Sequence, residues 1–405
     1  MIFPSRRQLH DSRHQVYPGL ISLSTILLLF RLAVAWGNRV VLPPPHKVHL
    51  KGLNGLRAIA ALAVVVMHTS IGLGPFGLPW NRLVNELGVF AVTIFFSLSG
   101  FLITYLLLLE KDDRGDVNVK DFYIRRILRI WPLYFSYLSI CVLVIWATKT
   151  QPLPGSLPCY LLLTANIPFI WNRIPALRLV AHYWSLGVEE QFYLFWPWVA
   201  RREKLERIIG VFLVLFFGLK IAARAYLAYS GHSTPYRALD VTRFDCMAIG
   251  GIGAFWFHQR SPAFWRICTS LVAQVVAWGG LVALAFNQFH IHAIIDDDIV
   301  SVLTVVLIVN VSSNPRTIVN LEWRLPNYLG TISYGIYVIH PLVIFAMQRW
   351  CGVWTSQLAP TLRYALVYGG VMALTIALAG GSYEFYEKRF LNLKERFSTV
   401  KSSSG

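Results

Sequence analysis

The sequence predicts an all-α integral membrane protein with about ten transmembrane helices, and it leaves an extra N-terminal span open. Of the 405 residues, 56% are hydrophobic and only 14% are charged, and the mean hydropathy is +0.53. Long apolar runs recur along most of the chain, which is typical of polytopic helical membrane proteins. The lysines and arginines lie in short loops between these runs, as the positive-inside rule predicts.

The formal net charge of +17 raises the question of nucleic-acid binding. The loop distribution of the basic residues favours membrane orientation instead, so we expect no nucleic-acid partner. Basic loops also suit anionic lipid head groups or a phosphorylated ligand. The five cysteines have no metal or redox spacing, and we predict no metal site.

The chain divides into three parts. Residues 1–51 form an N-terminal extension and linker, in which the apolar stretch 19–36 is interrupted by Arg31. That stretch could be an extra span, an interfacial helix or the product of an upstream start site. Residues 52–390 form the membrane domain, and 391–405 form a cytoplasmic tail.

Hydropathy and length predict ten candidate spans in the membrane domain. They are near 53–73, 86–109, 130–148, 184–200, 207–229, 243–258, 265–287, 295–312, 327–348 and 363–387. Basic loops, such as 110–129 and 201–207, alternate with loops poorer in Lys and Arg. This alternation predicts that both ends of the ten-span core lie in the cytoplasm. We expect the protein in the plasma membrane.

The first candidate span carries two polar groups on one face. Arg57 stands near its start, and His68 follows eleven residues later. Eleven helical residues make about three turns plus 20°, so both side chains face the same way, about 16 Å apart along the axis. An ionisable group deep in a span indicates function by default, although a hydrogen-bonded structural histidine is the alternative.

Two further charged stretches are candidates. Arg126 and Arg129 are three residues apart and share a helix face. Two guanidiniums on one face can bind phosphate groups, although a plain positive-inside anchor is favoured on this feature alone. Glu189 and its neighbour Glu190 lie in an aromatic, apolar span, where functional and structural ion-pair interpretations are balanced.

Two other polar residues favour structural roles. Asp245 is expected to pair with Arg243 or with a residue of another helix. His340 falls late in a span, next to Pro341, where a satisfied structural histidine is the simpler interpretation.

Six stretches together resemble the acyltransferase 3 family of integral membrane acyltransferases. In the family's order they are GLRAIAALAVVVMH, FFSLSGFLIT, FYIRRILRIWPLYF, YWSLGVEEQFYLFWP, RFDCMAIG and ISYGIYVIHP. The resemblance implies transfer of an acyl group, often acetyl, from cytoplasmic acyl-CoA to a carbohydrate hydroxyl. The acceptor would be a surface polysaccharide, a lipid-linked glycan or a glycosylated metabolite, and acyl-CoA would be a co-substrate with no tightly bound cofactor.

The resemblance also implies roles for individual residues. His68 takes the place of the catalytic histidine, as general base or acyl carrier, Arg57 the place of its partner, and Glu189 that of the family's glutamate. The candidate substrate-binding residues are Arg126, Arg129, Tyr183, Trp184, Ser185 and His340. The chain lacks the C-terminal extracytoplasmic SGNH-type domain of some relatives, so we expect it either to complete transfer alone or to need a separate partner.

Two other functions compete with acyl transfer. A transporter or flippase for a polysaccharide precursor or lipid would line its pathway with intramembrane Arg, Glu and His, but no paired broken helices recur in matching halves. A scaffolding protein would need an independent reason for each costly buried charge.

Overall fold

The computed structural model describes residues 50–80, 84–151, 155–171, 174–286, 294–355 and 357–398. The apolar stretch 19–36 lies outside these residues, so its three interpretations stay open. The described residues fold into helices and contain no β-strand, which confirms the all-α prediction.

Ten helices in the described part have 15 residues or more. They are α1 Leu53–Ile71, α2 Asn85–Arg114, α3 Val119–Thr148, α4 Tyr183–Ala200, α5 Leu205–Ser230, α6 Phe244–His258, α7 Leu271–Ala285, α8 Asp296–Ser313, α9 Ser333–Thr355 and α10 Pro360–Ser382. Each of the ten predicted spans falls on one of these helices. Shorter helical segments connect or extend them: Gly74–Phe76, Leu157–Leu161, Ile167–Ile170, Arg178–Val180, Thr234–Thr242, Pro262–Cys268, Arg324–Thr331, Tyr383–Glu387 and Lys388–Glu395.

Among the described residues, fewer than ten helices are both long and apolar enough to cross a membrane. Five qualify within the described residues: α1, α2, α3, α5 and the continuous run Pro360–Glu395. The number reaches seven if two bent pairs each form one span, Pro262–Cys268 with α7 and Arg324–Thr331 with α9. The described residues therefore form five to seven helices of the length and composition of membrane spans, which is consistent with a helical membrane protein. The prediction of ten spans is not confirmed.

The helices that do not qualify are short or acidic. The 15 residues of α6 reach only about 22 Å, less than the hydrocarbon thickness of a bilayer. Three aspartates, Asp296 to Asp298, begin α8, and two adjacent glutamates lie within α4. Most of α6 and α8 is buried against other helices.

Close packing of α2 against α6 forms the centre of the bundle. A Cβ atom on Gly100 would lie 1.9 Å from the carbonyl oxygen of Met247, and one on Gly250 would lie 2.1 Å from that of Ser97. Only glycine therefore fits at either position, as is common where membrane helices approach through small residues. Helix α1 packs against α2 and against α9, and residues of all three helices line one cavity.

Candidate active site

One cavity of about 100 Å³ collects most of the polar candidates. Five helices line it: α1, α2, α3, α4 and α9. Five of the residues selected from the sequence are in its wall: Arg57, Arg126, Arg129, Ser185 and Glu189. The sequence thus identified side chains that lie together although three different helices, α1, α3 and α4, supply them.

The cavity has an excess of positive charge. None of its three arginines, Arg57, Arg126 and Arg129, forms an ion pair with a carboxylate of the described residues, and the three guanidiniums repel one another. The Arg126 guanidinium lies 5.5 Å from the ring centre of Phe122 and 5.6 Å from that of Tyr193. Its Nε atom is buried and has no hydrogen-bond partner among the described residues. The site therefore suits an anion that the protein does not itself supply.

The two adjacent glutamates face different surroundings, as their helical spacing predicts. Glu189 lines the cavity, and its Oε1 accepts a hydrogen bond from Ser99 Oγ at 2.8 Å. Glu190 is outside that lining, and its Oε2 accepts from Trp131 Nε1 at 3.0 Å. Among the described lining residues one carboxylate therefore faces three guanidiniums. Glu190 also attracts Arg126, and Glu387 attracts Arg129, from outside the lining.

A fourth cation comes from the end of the described chain. The terminal helix Lys388–Glu395 packs against α3, and the carbonyl of Phe397 accepts a hydrogen bond from Arg125 Nη1 at 2.8 Å. Lys394, which is half-buried, is close enough to Arg57, Arg126 and Arg129 to be repelled by them. Sequence reasoning placed Lys394 in the cytoplasmic tail 391–405, since no local pattern indicates that this part of the chain folds back onto α3.

A cluster of three histidines lies beside the cavity. His68 and His340 are joined by a contact of 3.0 Å between Nδ1 of the first and Nε2 of the second. The ring of His182 lies 5.2 Å from that of His340. His340 is fully buried, and its Nδ1 is 3.2 Å from the carbonyl oxygen of Ile336. We call His68, His182 and His340 the histidine cluster.

Tyr337 connects the cavity with the histidine cluster. It lines the cavity, and its ring centre is 6.0 Å from that of His340. Its hydroxyl donates to the backbone carbonyl of His182 at 2.9 Å and lies 2.5 Å from Ser185 Oγ. His68 itself is outside the cavity lining, so a ligand in the cavity would meet Tyr337 and Ser185 before the cluster.

Besides His340, two of the candidate substrate-binding residues are outside the cavity lining. The Tyr183 ring stacks on Tyr134 with centroids 4.1 Å apart, and its hydroxyl donates to the carbonyl of Tyr134 at 3.0 Å. Trp184 packs edge-on against Phe96 at 6.1 Å. Neither side chain lines the cavity, and substrate binding by them stays a prediction.

Sequence reasoning missed His182 and Tyr337. Each lies three residues before a residue that was selected: His182 precedes Ser185, and Tyr337 precedes His340. Residues three apart in a helix are neighbours on one face, so this spacing could have identified both.

A second group of buried charged residues lies outside the cavity, and each of its members contacts a residue of opposite charge. Nζ of Lys220 lies 2.5 Å from Oδ2 of Asp245 and 3.1 Å from Oδ2 of Asp298. Arg243 Nη1 lies 3.1 Å from Asp297 Oδ1. We call these five residues the ion-pair cluster. The expected partner of Asp245 on another helix is thus Lys220 of α5.

Comparison with known proteins adds an independent line of evidence. A family model described as an acyltransferase domain, that of acyltransferase 3, matches residues 50–380. Peptidoglycan O-acetyltransferase OatA of Listeria monocytogenes is 27% identical over 327 residues, which cover 73% of this chain and 49% of that protein. No solved structure is significantly similar to this chain.

Other curated relatives are similar over the same region. The putative peptidoglycan O-acetyltransferase YrhL of Bacillus subtilis is 27% identical over 85% of this chain and 55% of its own length. A putative O-acetyltransferase of Staphylococcus aureus is 26% identical over 84% of this chain and 57% of its own length. The chain spans about half the length of the curated relatives it matches.

Proposed function

Because the chain belongs to the acyltransferase 3 family, we propose that it transfers an acetyl group from acetyl-CoA to a hydroxyl of a glycan acceptor. Its relatives are named O-acetyltransferases, two of them for peptidoglycan. A surface polysaccharide or a lipid-linked glycan is the acceptor class that these names support.

The observation that carries the proposal is the cavity whose three arginines have no carboxylate partner among the described residues. Coenzyme A carries a diphosphate and a further phosphate on its ribose, and guanidiniums bind phosphates through charge-assisted hydrogen bonds. Bound phosphates would offset the repulsion among Arg57, Arg126 and Arg129. The hydrogen bond from Ser99 keeps Glu189 in place to balance part of the remaining positive charge.

We assign the chemistry to His68. The pantetheine arm of the donor would extend past Tyr337 and Ser185 toward the histidine cluster, where the apolar interior protects the thioester from hydrolysis. Nε2 of His68 would take the proton of the acceptor hydroxyl as its oxygen attacks the acetyl carbonyl. The new C–O bond forms, the C–S bond breaks, and the proton passes to the departing thiolate of CoA. Transient acetylation of His68 is the alternative route.

We also propose a plasma-membrane location in which the arginine side of the cavity faces the cytoplasm. Arg57 is near the first residue of α1, and Arg126 and Arg129 are in the first half of α3. Basic loops near these helix ends support that orientation. The relatives are about twice as long as the region they share with this chain, so a separate extracytoplasmic partner that completes the transfer is compatible with the proposal.

The test is an acetyl-transfer assay with purified protein in lipid nanodiscs. Radiolabelled acetyl-CoA is supplied with and without a membrane glycan extract, and wild type is compared with His68→Ala. We expect glycan-dependent incorporation of label in the wild type and a loss of at least about 100-fold in the variant, the usual range for a general base.

The control for this assay is CoA binding, which His68→Ala should retain because His68 is outside the cavity lining. Equal incorporation by wild type and variant would contradict the role of His68. Movement of a labelled glycan across the membrane without acetyl-CoA would indicate the transporter instead.

A further inference from the structure

The hydrogen bonds of the histidine cluster determine which ring nitrogens carry protons. The carbonyl oxygen of Ile336 can only accept, so Nδ1 of His340 must donate to it. His340 is 0% exposed and forms no ion pair with a carboxylate in the described part of the chain. A charged ring would be costly there, so His340 is neutral and its Nε2 is an acceptor.

The same reasoning extends to His68. Because Nε2 of His340 accepts, Nδ1 of His68 must carry the proton of their 3.0 Å hydrogen bond. A neutral imidazole that is protonated on Nδ1 has its lone pair on Nε2. The hydrogen-bond geometry gives Nδ1 of His68 a partner in His340 and gives Nε2 none among the described residues, and Nε2 is not among the buried unpaired atoms. The backbone carbonyl of Val64 also lies near the ring. Nε2 of His68 is therefore free for a substrate.

We propose that His340 is a positioning residue that holds His68 in the tautomer with a basic, unoccupied Nε2. The proposal rests on the proposed function, in which Nε2 of His68 takes the proton of the acceptor hydroxyl. It changes the role of His340, which the sequence placed among substrate-binding residues, because its two ring nitrogens are occupied by Ile336 and His68.

The groups around the His68–His340 pair explain how a neutral histidine can orient His68 in place of a carboxylate. The groups that face it are the rings of His182 and Tyr337, with Tyr137 behind His182. Catalytic histidines are often held by a carboxylate, which also stabilises the imidazolium. Here the hydrogen-bond chain runs from His68 through His340 to a backbone carbonyl, so it fixes orientation and tautomer without adding a buried charge.

Two amide substitutions at position 340 separate the two hydrogen bonds. The amide oxygen of His340→Gln can reach the place of Nε2 and accept from His68. The shorter His340→Asn matches the place of Nδ1, so it can bond to Ile336 but cannot reach His68. Both variants are polar and uncharged, which makes each the control for the other.

We expect His340→Gln to keep the turnover number of acetyl transfer within a few-fold of wild type. For His340→Asn we expect a loss of about 100-fold, in the range of a misoriented general base, with the KM for acetyl-CoA unchanged. Equal turnover in the two variants, whether both are high or both are low, would overturn the proposal.

Nitrogen NMR of isotopically labelled histidines in the wild type provides a test that does not depend on activity. The His68 signals, assigned by their loss in His68→Ala, should show a protonated Nδ1 and an unprotonated Nε2. The opposite tautomer would overturn the proposal. If the wild type transferred no acetyl group, the proposed function would fail, while the NMR result would still show whether His68 has the tautomer that its hydrogen bond to His340 requires.

Discussion

Two groups of buried charges in the same bundle differ in how they are neutralised. In the ion-pair cluster, Lys220 contacts Asp245 and Asp298, and Arg243 contacts Asp297. In the cavity, Arg57, Arg126 and Arg129 form no ion pair with the described residues. The protein thus satisfies its own charges in one place and leaves a surplus of positive charge in the other.

The difference teaches how to separate a structural charge from a binding one. Breaking a buried ion pair leaves an uncompensated charge, so paired groups are coupled to folding. Removing one of several mutually repelling cations relieves repulsion, so unpaired groups cost the free protein little or nothing to lose. We therefore expect mutations in the two regions to affect different measurements, stability in one and ligand affinity in the other.

The largest effect on stability should come from Lys220→Met. The change leaves Asp245 and Asp298 buried without their shared ammonium, which should cost about 3–5 kcal/mol of unfolding free energy. Thermal unfolding in detergent or nanodiscs measures it. The control is Lys388→Met, since Lys388 pairs with Glu384 at an exposed site and its loss should leave the unfolding temperature unchanged. If Lys220→Met unfolded at the same temperature as wild type, the ion-pair cluster would not have the stabilising role described here.

The largest effect on binding should come from Arg126→Gln. Loss of a hydrogen bond to a charged phosphate should weaken CoA binding by about 10- to 100-fold, which corresponds to about 1.5–3 kcal/mol. The unfolding temperature should stay the same or rise, because the repulsion from Arg57 and Arg129 decreases. Calorimetry with CoA measures the affinity, and Arg207→Gln, at an exposed position of α5, is the control. Reduced stability with unchanged affinity would reverse the assignment of Arg126.

A smaller effect should come from Lys394→Gln. Lys394 is half-buried and belongs to the terminal helix at the edge of the positive site, so we expect about three-fold weaker CoA binding, as for a partly screened charge. Lys388→Gln, in the same helix but paired with Glu384, should bind CoA like wild type. If both variants bound equally well, the terminal helix would not contribute to the site.

Local sequence patterns located the helices because hydropathy and length are properties of each segment alone. They did not determine the number of membrane crossings, since burial of α6 and α8 among other helices depends on tertiary packing. In the same way, Asp245 indicated a partner on another helix, but only the packing of α5 beside α6 identifies Lys220.

Sequence patterns likewise identified some features of the candidate site and missed others. The motif spacing brought Arg57, Arg126, Arg129 and Glu189 to attention, and they line one cavity. Helical periodicity also put Arg57 and His68 on one face, but about 16 Å apart, and the fold places His68 in a separate cluster with His340. That hydrogen bond joins positions 272 residues apart, a separation for which a single sequence carries no signal.

The central claim is that the unpaired arginines bind the phosphates of an acyl-CoA donor. The most direct measurement is an electron cryomicroscopy structure of the protein in nanodiscs with saturating CoA. The account predicts phosphate oxygens at about 2.7–2.9 Å from the guanidiniums of Arg126 and Arg129, with the pantetheine arm directed toward Tyr337 and His68. An empty cavity at saturating CoA, or CoA bound elsewhere on the protein, would contradict it.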